Sequence, residues 1–280
     1  MESKSASVNG IAMRWEEHGQ GVPLVLIHGI PTSPLLWDKV VPRIAGARCL
    51  AWEMVGYGES IPQGASRDIS IARQADYLVS WLQQLGIQRA VLAGHDLGGG
   101  VAQIAAVSHP KLCSGLFLTN AIGYDSWPIP SVKTMQALAA VMRHLPDPLF
   151  AQVLRSFLYR GHDLKEVAQE AFEKYWPNYA QHGGATVFVR QIKVLRTADT
   201  LAVASRLPEL NVPARVVWGA GDGFQKIEYG ERFSRDLRAP LRRIERGKHF
   251  TPEDHPDVVA EEINRLLADV DHSASLEQPA

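Results

Sequence analysis

The sequence lacks the features that would assign it to a membrane-bound, secreted or nucleic-acid-binding class. No apolar run is long enough to cross a bilayer, and residues 1–5 lack the apolar core of a signal peptide. The charges nearly cancel, with 29 Lys and Arg against 30 Asp and Glu, so nothing steers the protein toward nucleic acid or an anionic membrane. We therefore expect a cytoplasmic protein that has neither a nucleic acid nor a membrane as its partner.

Cysteine is also scarce. The only two cysteines, Cys49 and Cys113, each lie in an apolar, strand-like run. Two thiols in such surroundings are typical of small buried side chains and not of a disulfide framework or a metal site. The sequence thus predicts no metal and no cofactor, and it suits a reducing compartment.

The chain does contain a regular alternation of short apolar strands with amphipathic helices. Its 280 residues are 46% apolar, which suits one large domain or one domain with an insertion. The alternation predicts a mostly parallel central sheet with helices on both faces. The predicted strands lie near residues 24–27, 49–52, 90–93, 115–118, 214–218 and 241–244, and residues 7–18 form a hairpin around Asn9-Gly10.

The alternation stops between residues 122 and 201, where only helical stretches separated by Pro and Gly occur. This segment, which follows the sixth strand, is too long for a loop, so we expect a helical lid over the carboxyl ends of the strands. Residues 1–121 and 202–270 then form the core. The polar residues 271–280 are predicted to be a flexible tail.

The clearest chemical motif is Gly94-His95-Asp96-Leu97-Gly98, between a predicted strand and a predicted helix. A nucleophile elbow has the pattern Gly-x-nucleophile-x-Gly in this context, because its sharp turn requires small flanking residues. Asp96 is then the candidate nucleophile. The alternative is a phosphate-binding loop, but the motif lacks the Lys-Ser/Thr and the glycine spacing of such loops.

A second motif, His28-Gly29-Ile30-Pro31, follows an earlier buried strand. In a fold with a nucleophile elbow, this loop supplies one backbone N–H of the oxyanion hole. We expect that donor from Ile30 and the second from Leu97, the residue after the candidate nucleophile.

Two further candidates complete a catalytic triad. His249 follows the last predicted strand, where the order nucleophile, acid, histidine requires the base. Asp222 ends the penultimate strand within Trp218-Gly219-Ala220-Gly221-Asp222, at the usual place of the acid. Asp125, which follows the preceding strand, is the alternative acid.

These motifs together resemble the Asp-nucleophile α/β-hydrolases, namely haloalkane dehalogenases, haloacetate dehalogenases and soluble epoxide hydrolases. The resemblance covers roughly residues 10–270 and implies an α/β-hydrolase fold. It also implies that Asp96 attacks saturated carbon to form an alkyl-enzyme ester, which a water activated by His249 then hydrolyses. Esters and amides are therefore not expected as main substrates.

The sequence departs from this resemblance around the leaving group. Haloalkane dehalogenases typically place a tryptophan where this chain has Leu97, and many place an asparagine where it has Ile30. Another donor would have to hold a halide, and the candidates are Trp37, Trp127 and Trp176. Haloacetate dehalogenases place arginines just after the nucleophile, and their absence here predicts a neutral substrate.

Epoxide hydrolases use two lid tyrosines to protonate the opening oxygen. The predicted lid contains Tyr159, Tyr175 and Tyr179, and His144 is another donor candidate. Their spacing identifies no pair.

Three functional hypotheses follow. The leading one is hydrolytic dehalogenation of a small neutral organic substrate with water, the second is epoxide hydrolysis, and the third is a non-catalytic ligand-binding member of the fold. An intact Asp96, His249 and acid count against the third, because a receptor has little need of them. The sequence fits a monomer or a small homo-oligomer.

Overall fold

The fold is built on one central sheet. The computed structural model describes residues 1–276, and within them the sheet has eight strands in the order β1-β2-β4-β3-β5-β6-β7-β8. The strands are β1 (Glu2–Val8), β2 (Ile11–His18), β3 (Val22–Ile27), β4 (Ala47–Trp52), β5 (Ala90–His95), β6 (Cys113–Thr119), β7 (Ala214–Gly219) and β8 (Leu241–Ile244).

The strands divide by hydrophobic pattern into a hairpin and a parallel core. β1 and β2 pair antiparallel at the edge of the sheet, and Asn9 and Gly10 form their two-residue turn with φ values of 49° and 76°. The positive φ at both positions explains the Asn-Gly pair. From β4 to β8 the pairings are parallel, and β5 and β6 are buried along their whole length, which explains their continuous apolar runs. The predicted fold class is confirmed.

Helices of the core pack against this sheet. The helix α2 is buried on all sides except at its end, and it packs against β5 and β6 immediately after the nucleophile elbow. The last helix continues to Leu276, so residues 271–276 of the predicted tail are helical. Residues 277–280 lie outside the described part of the chain. The core helices are α1 (Ile71–Gln84), α2 (Leu97–Ser108), α9 (Ile227–Asp236), α10 (Thr251–Asp254) and α11 (Pro256–Leu276).

The segment between β6 and β7 is helical, as its sequence pattern indicates. Its last helix, α8, packs against α1 and α2 of the core, so the expected boundary at residue 201 falls inside a helix. The segment contains α3 (Pro130–Ala137), α4 (Ala139–Met142), α5 (Asp147–Gly161), α6 (Lys165–Ala180), α7 (Gly184–Lys193) and α8 (Thr197–Ala204).

A buried charged cluster joins this segment to the core. Glu253 of α10 accepts hydrogen bonds from Lys174 Nζ at 3.0 Å and from the Tyr175 hydroxyl at 2.8 Å, and its other oxygen lies 3.0 Å from His162 Nε2. Burial alone would raise the pKa of Glu253, but His162, Lys174 and Tyr175 outweigh burial and lower it. Removing one partner of such a buried cluster is costly, so it fixes the helical segment over the strand ends.

Candidate active site

The turn that carries Asp96 has the geometry of a nucleophile elbow. Asp96 joins β5 to α2 with φ 50° and ψ −121°, an uncommon conformation for a residue with a side chain. A Cβ atom on Gly98 would lie 2.2 Å from the Ile27 carbonyl oxygen, and one on Gly94 would lie 2.4 Å from the Gly98 carbonyl oxygen. Only glycine fits at these two positions, which explains the Gly-x-Asp-x-Gly pattern.

The two oxygens of the Asp96 carboxylate lie in different surroundings. Oδ2 accepts a hydrogen bond from the Ile30 backbone N–H at 3.0 Å, and the Leu97 backbone N–H also hydrogen-bonds to the carboxylate. Oδ1 lies 3.7 Å from His249 Nε2. Burial raises the pKa of the Asp96 carboxyl, and His249 and the two N–H groups oppose that rise. The carboxylate thus has one oxygen in an oxyanion-hole position and one facing the imidazole.

Asp222 orients the imidazole from the opposite side. His249 Nδ1 lies 2.8 Å from Asp222 Oδ2, and Asp222 Oδ1 accepts a hydrogen bond from the Phe224 backbone N–H at 2.6 Å. Burial disfavours the charged imidazole, but the charge and hydrogen bond of Asp222, together with Asp96, outweigh burial and raise the pKa of His249. Asp96, His249 and Asp222 therefore have the contacts of a nucleophile, a base and its orienting acid.

Asn120, which the sequence analysis did not identify, supports the acid. Directly after β6, it donates from Nδ2 to Asp222 Oδ2 at 2.7 Å and accepts from the Gly219 backbone N–H at 3.0 Å. The sequence signal that could have identified Asn120 is its position as a polar residue at the end of an apolar strand. Asp125, the alternative acid, is exposed and accepts a hydrogen bond from the Tyr229 hydroxyl at 3.2 Å.

Two histidines, His28 of the His-Gly-Ile-Pro motif and His95 of the Gly-His-Asp-Leu-Gly motif, bind backbone groups next to the site. His28 Nε2 accepts from the Met54 backbone N–H at 3.1 Å, and burial lowers the pKa of His28 to about 4, so its ring is neutral. The His95 ring packs 4.7 Å from the His249 ring, and its Nε2 donates to the His249 carbonyl at 2.9 Å. Both rings hold motif backbones in place and do not reach the cavity described next.

A small cavity opens beside Asp96 and His249. Its volume is about 30 Å³, which holds one or two water molecules, so a substrate must displace side chains of the helical segment. A larger cleft of about 660 Å³ lies at the amino ends of β3, β6 and β7, away from the triad. The lining of the small cavity is mostly apolar: Ile30, Asp96, Leu97, Ile122, Trp127, Pro128, Ile129, Val132, Phe157, Leu195, Phe224, Gln225 and His249.

Of the candidate leaving-group residues, only Trp127 lines this cavity, and its Nε1–H is already donated to the Thr200 hydroxyl at 2.7 Å. The other candidates do not line the described cavity. Trp37 is wholly buried outside the cavity, and Trp176 packs against aromatic rings of α5 and α6. Tyr175 is bound to Glu253, and His144 is exposed.

The described residues were compared with the requirements of a metal site and of a membrane-spanning helix. Within residues 1–276 no cluster of His, Cys, Asp and Glu side chains has the arrangement of a metal site. No helix of this described part is long and apolar enough to cross a membrane.

Comparison with known proteins places this chain in a family. The sequence profile of the α/β-hydrolase fold family matches residues 22–256. A haloalkane dehalogenase of Bradyrhizobium diazoefficiens is 26% identical, over 97% of this chain and 96% of its own. Bifunctional epoxide hydrolase 2 of Rattus norvegicus is 31% identical, but over only 47% of this chain and 24% of its own.

The solved structures agree on the fold. The crystal structure of an α/β-hydrolase fold protein from Burkholderia ambifaria superposes with a TM-score of 0.86 and 23% identity, covering 93% of this chain and 96% of that one. The protein belongs to the α/β-hydrolase fold family. It is a hydrolase with haloalkane dehalogenase and epoxide hydrolase relatives at low identity.

Proposed function

We propose that this hydrolase removes a halide from a small neutral organohalide through a covalent ester on Asp96. The observation that carries the proposal is that the two oxygens of the Asp96 carboxylate have different contacts. Oδ2 accepts a hydrogen bond from the Ile30 N–H, and Oδ1 faces His249 beside an apolar cavity. The Leu97 N–H also hydrogen-bonds to the carboxylate. This arrangement suits a carboxylate that becomes an ester, because the held oxygen would be the ester carbonyl.

The first step is an in-line displacement at saturated carbon. Asp96 Oδ1 forms the new bond to carbon while the carbon–halogen bond breaks, and the halide leaves with the bonding electron pair. No proton moves in this step, so it needs an ionised Asp96 and no base.

The second step is hydrolysis of the ester. His249 Nε2 takes a proton from a water molecule, whose oxygen attacks Cγ of Asp96. The negative charge that develops on Oδ2 is stabilised by the Ile30 and Leu97 N–H groups. Collapse releases the product as an alcohol, which receives the proton from His249. The carboxyl group of Asp96 then carries the second proton of the attacking water, and its release to solvent restores the carboxylate. Asp222 stabilises the transient imidazolium.

The cavity lining favours an uncharged substrate. No lysine or arginine is among the described lining residues, and the carboxylate of Asp96 is already buried there. A second, unpaired carboxylate would lose its hydration and be repelled by Asp96, at a cost of several kcal/mol. We therefore propose a neutral organohalide and not a haloacetate.

The hydroxyl groups of the lid favour halide over epoxide chemistry. Opening an epoxide creates an alkoxide that needs a proton, whereas a halide leaves without one. No tyrosine lines the described cavity, and the lid hydroxyls are engaged elsewhere. Tyr159 donates to Gln169, Tyr175 to Glu253 and Tyr179 to Gln191.

Epoxide hydrolysis is the second candidate, and one observation favours it. The hydroxyl of Tyr57 is buried without a hydrogen-bond partner in the described residues, and it lies near enough to Asp96 to feel its charge. Burial, then Tyr179, then Asp96 raise the Tyr57 pKa, so this hydroxyl would stay protonated until an alkoxide formed. Tyr57 could thus serve as a proton donor if substrate binding opened the cavity toward it.

A substrate panel tests both candidates. Halide release from chloro- and bromoalkanes, diol formation from epoxides and acid release from carboxylic esters would be measured for the parent, Asp96→Ala and Tyr57→Phe. We expect halide release that requires Asp96 and survives Tyr57→Phe. Diol formation lost in Tyr57→Phe would support the second candidate. Hydrolysis of carboxylic esters alone would contradict both.

A further inference from the structure

Gln225 is an unexplained polar residue in the wall of the active-site cavity. It lies three residues after Asp222, lines the same cavity as Asp96 and His249, and is only 3% exposed. Its Oε1 atom is buried without a hydrogen-bond partner, and no described residue hydrogen-bonds to its side-chain amide. Buried amides normally find partners, so this one requires an explanation.

The backbone at Gln225 is held in place by its surroundings. The backbone carbonyl of Gln225 accepts a hydrogen bond from Trp218 Nε1 at 2.9 Å. The preceding ring, Phe224, stacks on Phe157 at 4.5 Å and packs edge-on against His249 at 5.1 Å. These contacts fix the chain on both sides of Gln225, which lines the same cavity as Asp96 and His249.

The amide would be satisfied by part of the substrate. A carboxamide offers both a donor and an acceptor, and a hydroxyl group also offers both, so the two can pair whichever way the amide is rotated. A departing halide only accepts, which would leave Oε1 unpaired. A plain alkyl chain would leave both ends unpaired, at a substantial loss of binding.

We infer that Gln225 is a specificity-determining residue that recognises a hydroxyl or N–H group on the substrate. The inference rests on the proposed function and narrows its substrate class to organohalides with such a group, for example haloalcohols. Because Asp96 and Gln225 line the same cavity, we expect the recognised group within a few bonds of the carbon that Asp96 attacks. A site built to hydrogen-bond a substrate group discriminates strongly against analogues that lack it.

The test uses two substrates that differ only in that group. In 3-bromopropan-1-ol a hydroxyl stands where 1-bromobutane has a methyl group. We expect the parent to favour the bromoalcohol in kcat/KM by about 10- to 100-fold. Gln225→Met keeps the size of the side chain but removes the amide, and we expect it to abolish this preference. Gln83→Met, on the exposed face of α1, is the matched control and should keep the preference.

Other outcomes would overturn the inference. A Gln225→Met enzyme with the parental preference would exclude recognition of the hydroxyl. Gln225→Met could instead lower kcat/KM equally for the bromoalcohol and the bromoalkane. If that loss were larger for chlorides than for iodides, the amide would be assigned to the leaving halide. Slower ester hydrolysis with unchanged ester formation would assign it to the attacking water. Gln225→Leu repeats the test if Gln225→Met does not fold, as judged by circular dichroism and thermal melting.

Failure of the proposed dehalogenation can be distinguished from failure of the inference about Gln225. If the parent releases no halide but forms diols, the matched pair becomes glycidol and 1,2-epoxybutane, which again differ by a hydroxyl in place of a methyl group. A preference for glycidol that Gln225→Met abolishes would support recognition by Gln225 while rejecting dehalogenation. No preference for glycidol would overturn the inference as well.

Discussion

Asn120 donates a hydrogen bond to Asp222 Oδ2 at 2.7 Å, the same oxygen that lies 2.8 Å from His249 Nδ1. The acid is therefore held by two side chains, one of which also binds the end of β7 through the Gly219 N–H. In the proposed mechanism, the orientation of His249 therefore depends on Asn120, a residue outside the proposed triad.

Replacing Asn120 by leucine should weaken both stability and catalysis. The change removes a hydrogen bond to a buried carboxylate and leaves the Gly219 N–H unpaired, which we expect to lower the free energy of unfolding by about 1.5–3 kcal/mol. Urea unfolding would measure this loss, and single-turnover assays should show slower ester hydrolysis. Asn211→Leu, at an exposed position, is the control. An active site unaffected by Asn120→Leu would contradict the supporting role.

Asp222 and Asp125 can be distinguished by the same substitution at each position. Asp222→Asn should reduce turnover by at least about 100-fold, because the amide no longer stabilises the imidazolium and can favour the wrong tautomer. Asp125→Asn should leave turnover unchanged, since its side chain is exposed and contacts Tyr229. Steady-state kinetics on the substrate that the parent converts best would settle the assignment, and the reverse result would make Asp125 the acid.

Gly29 leaves the space that the nucleophile occupies. A Cβ atom at this position would lie 2.4 Å from Asp96 Oδ2, so Gly29→Ala should push the carboxylate out of the oxyanion hole. A displacement of about 1 Å can lower the rate about 100-fold. Gly223→Ala is the matched control, because its added methyl group would meet no atom within 4 Å. Similar activity in both variants would contradict the assigned position of Asp96.

The directions of the pKa shifts of Asp96 and His249 predict how the rates of ester formation and ester hydrolysis depend on pH. Ester formation needs ionised Asp96, and ester hydrolysis needs neutral His249, whose pKa is raised above 6.5 in the free enzyme. In the ester Asp96 is uncharged, so of these two carboxylates only Asp222 still opposes the effect of burial on the His249 pKa. As pH falls through the His249 pKa, hydrolysis should slow about tenfold per pH unit while formation continues, until Asp96 is protonated at lower pH.

Acid quenching during turnover, between about pH 5 and pH 9, measures this balance. The fraction of parent enzyme present as ester should increase as pH decreases. An ester fraction that increases with pH would mean that the group that limits hydrolysis is not His249.

The candidate triad could be proposed from sequence because its three positions come after strand ends. Asp96 and Asp222 follow the apolar strands β5 and β7, and His249 follows the short strand β8. The glycines beside Asp96 are required by backbone contacts within the turn. The parallel sheet then brings these strand ends together.

The rest of the cavity could not be predicted in the same way. Whether Tyr175 or Trp176 reaches the cavity depends on which way its helix is turned and on partners such as Glu253, which lies 78 residues from Tyr175 along the chain. The importance of Gln225 depends on the absence of a partner for its amide, and a sequence does not contain that information. Side-chain direction and hydrogen-bond partners are fixed by tertiary packing.

Intact-protein mass spectrometry of His249→Gln tests the central claim most directly. Ester formation needs no base, so the variant should form the ester with an organohalide but hydrolyse it slowly, and the ester should accumulate. The expected mass gain is the alkyl group in exchange for one hydrogen, located on Asp96 by peptide mapping and absent from Asp96→Asn/His249→Gln. An epoxide substrate would instead add its whole mass. An unlabelled His249→Gln enzyme, tested with every halide and epoxide that the parent consumes, would contradict the covalent mechanism or the role of His249.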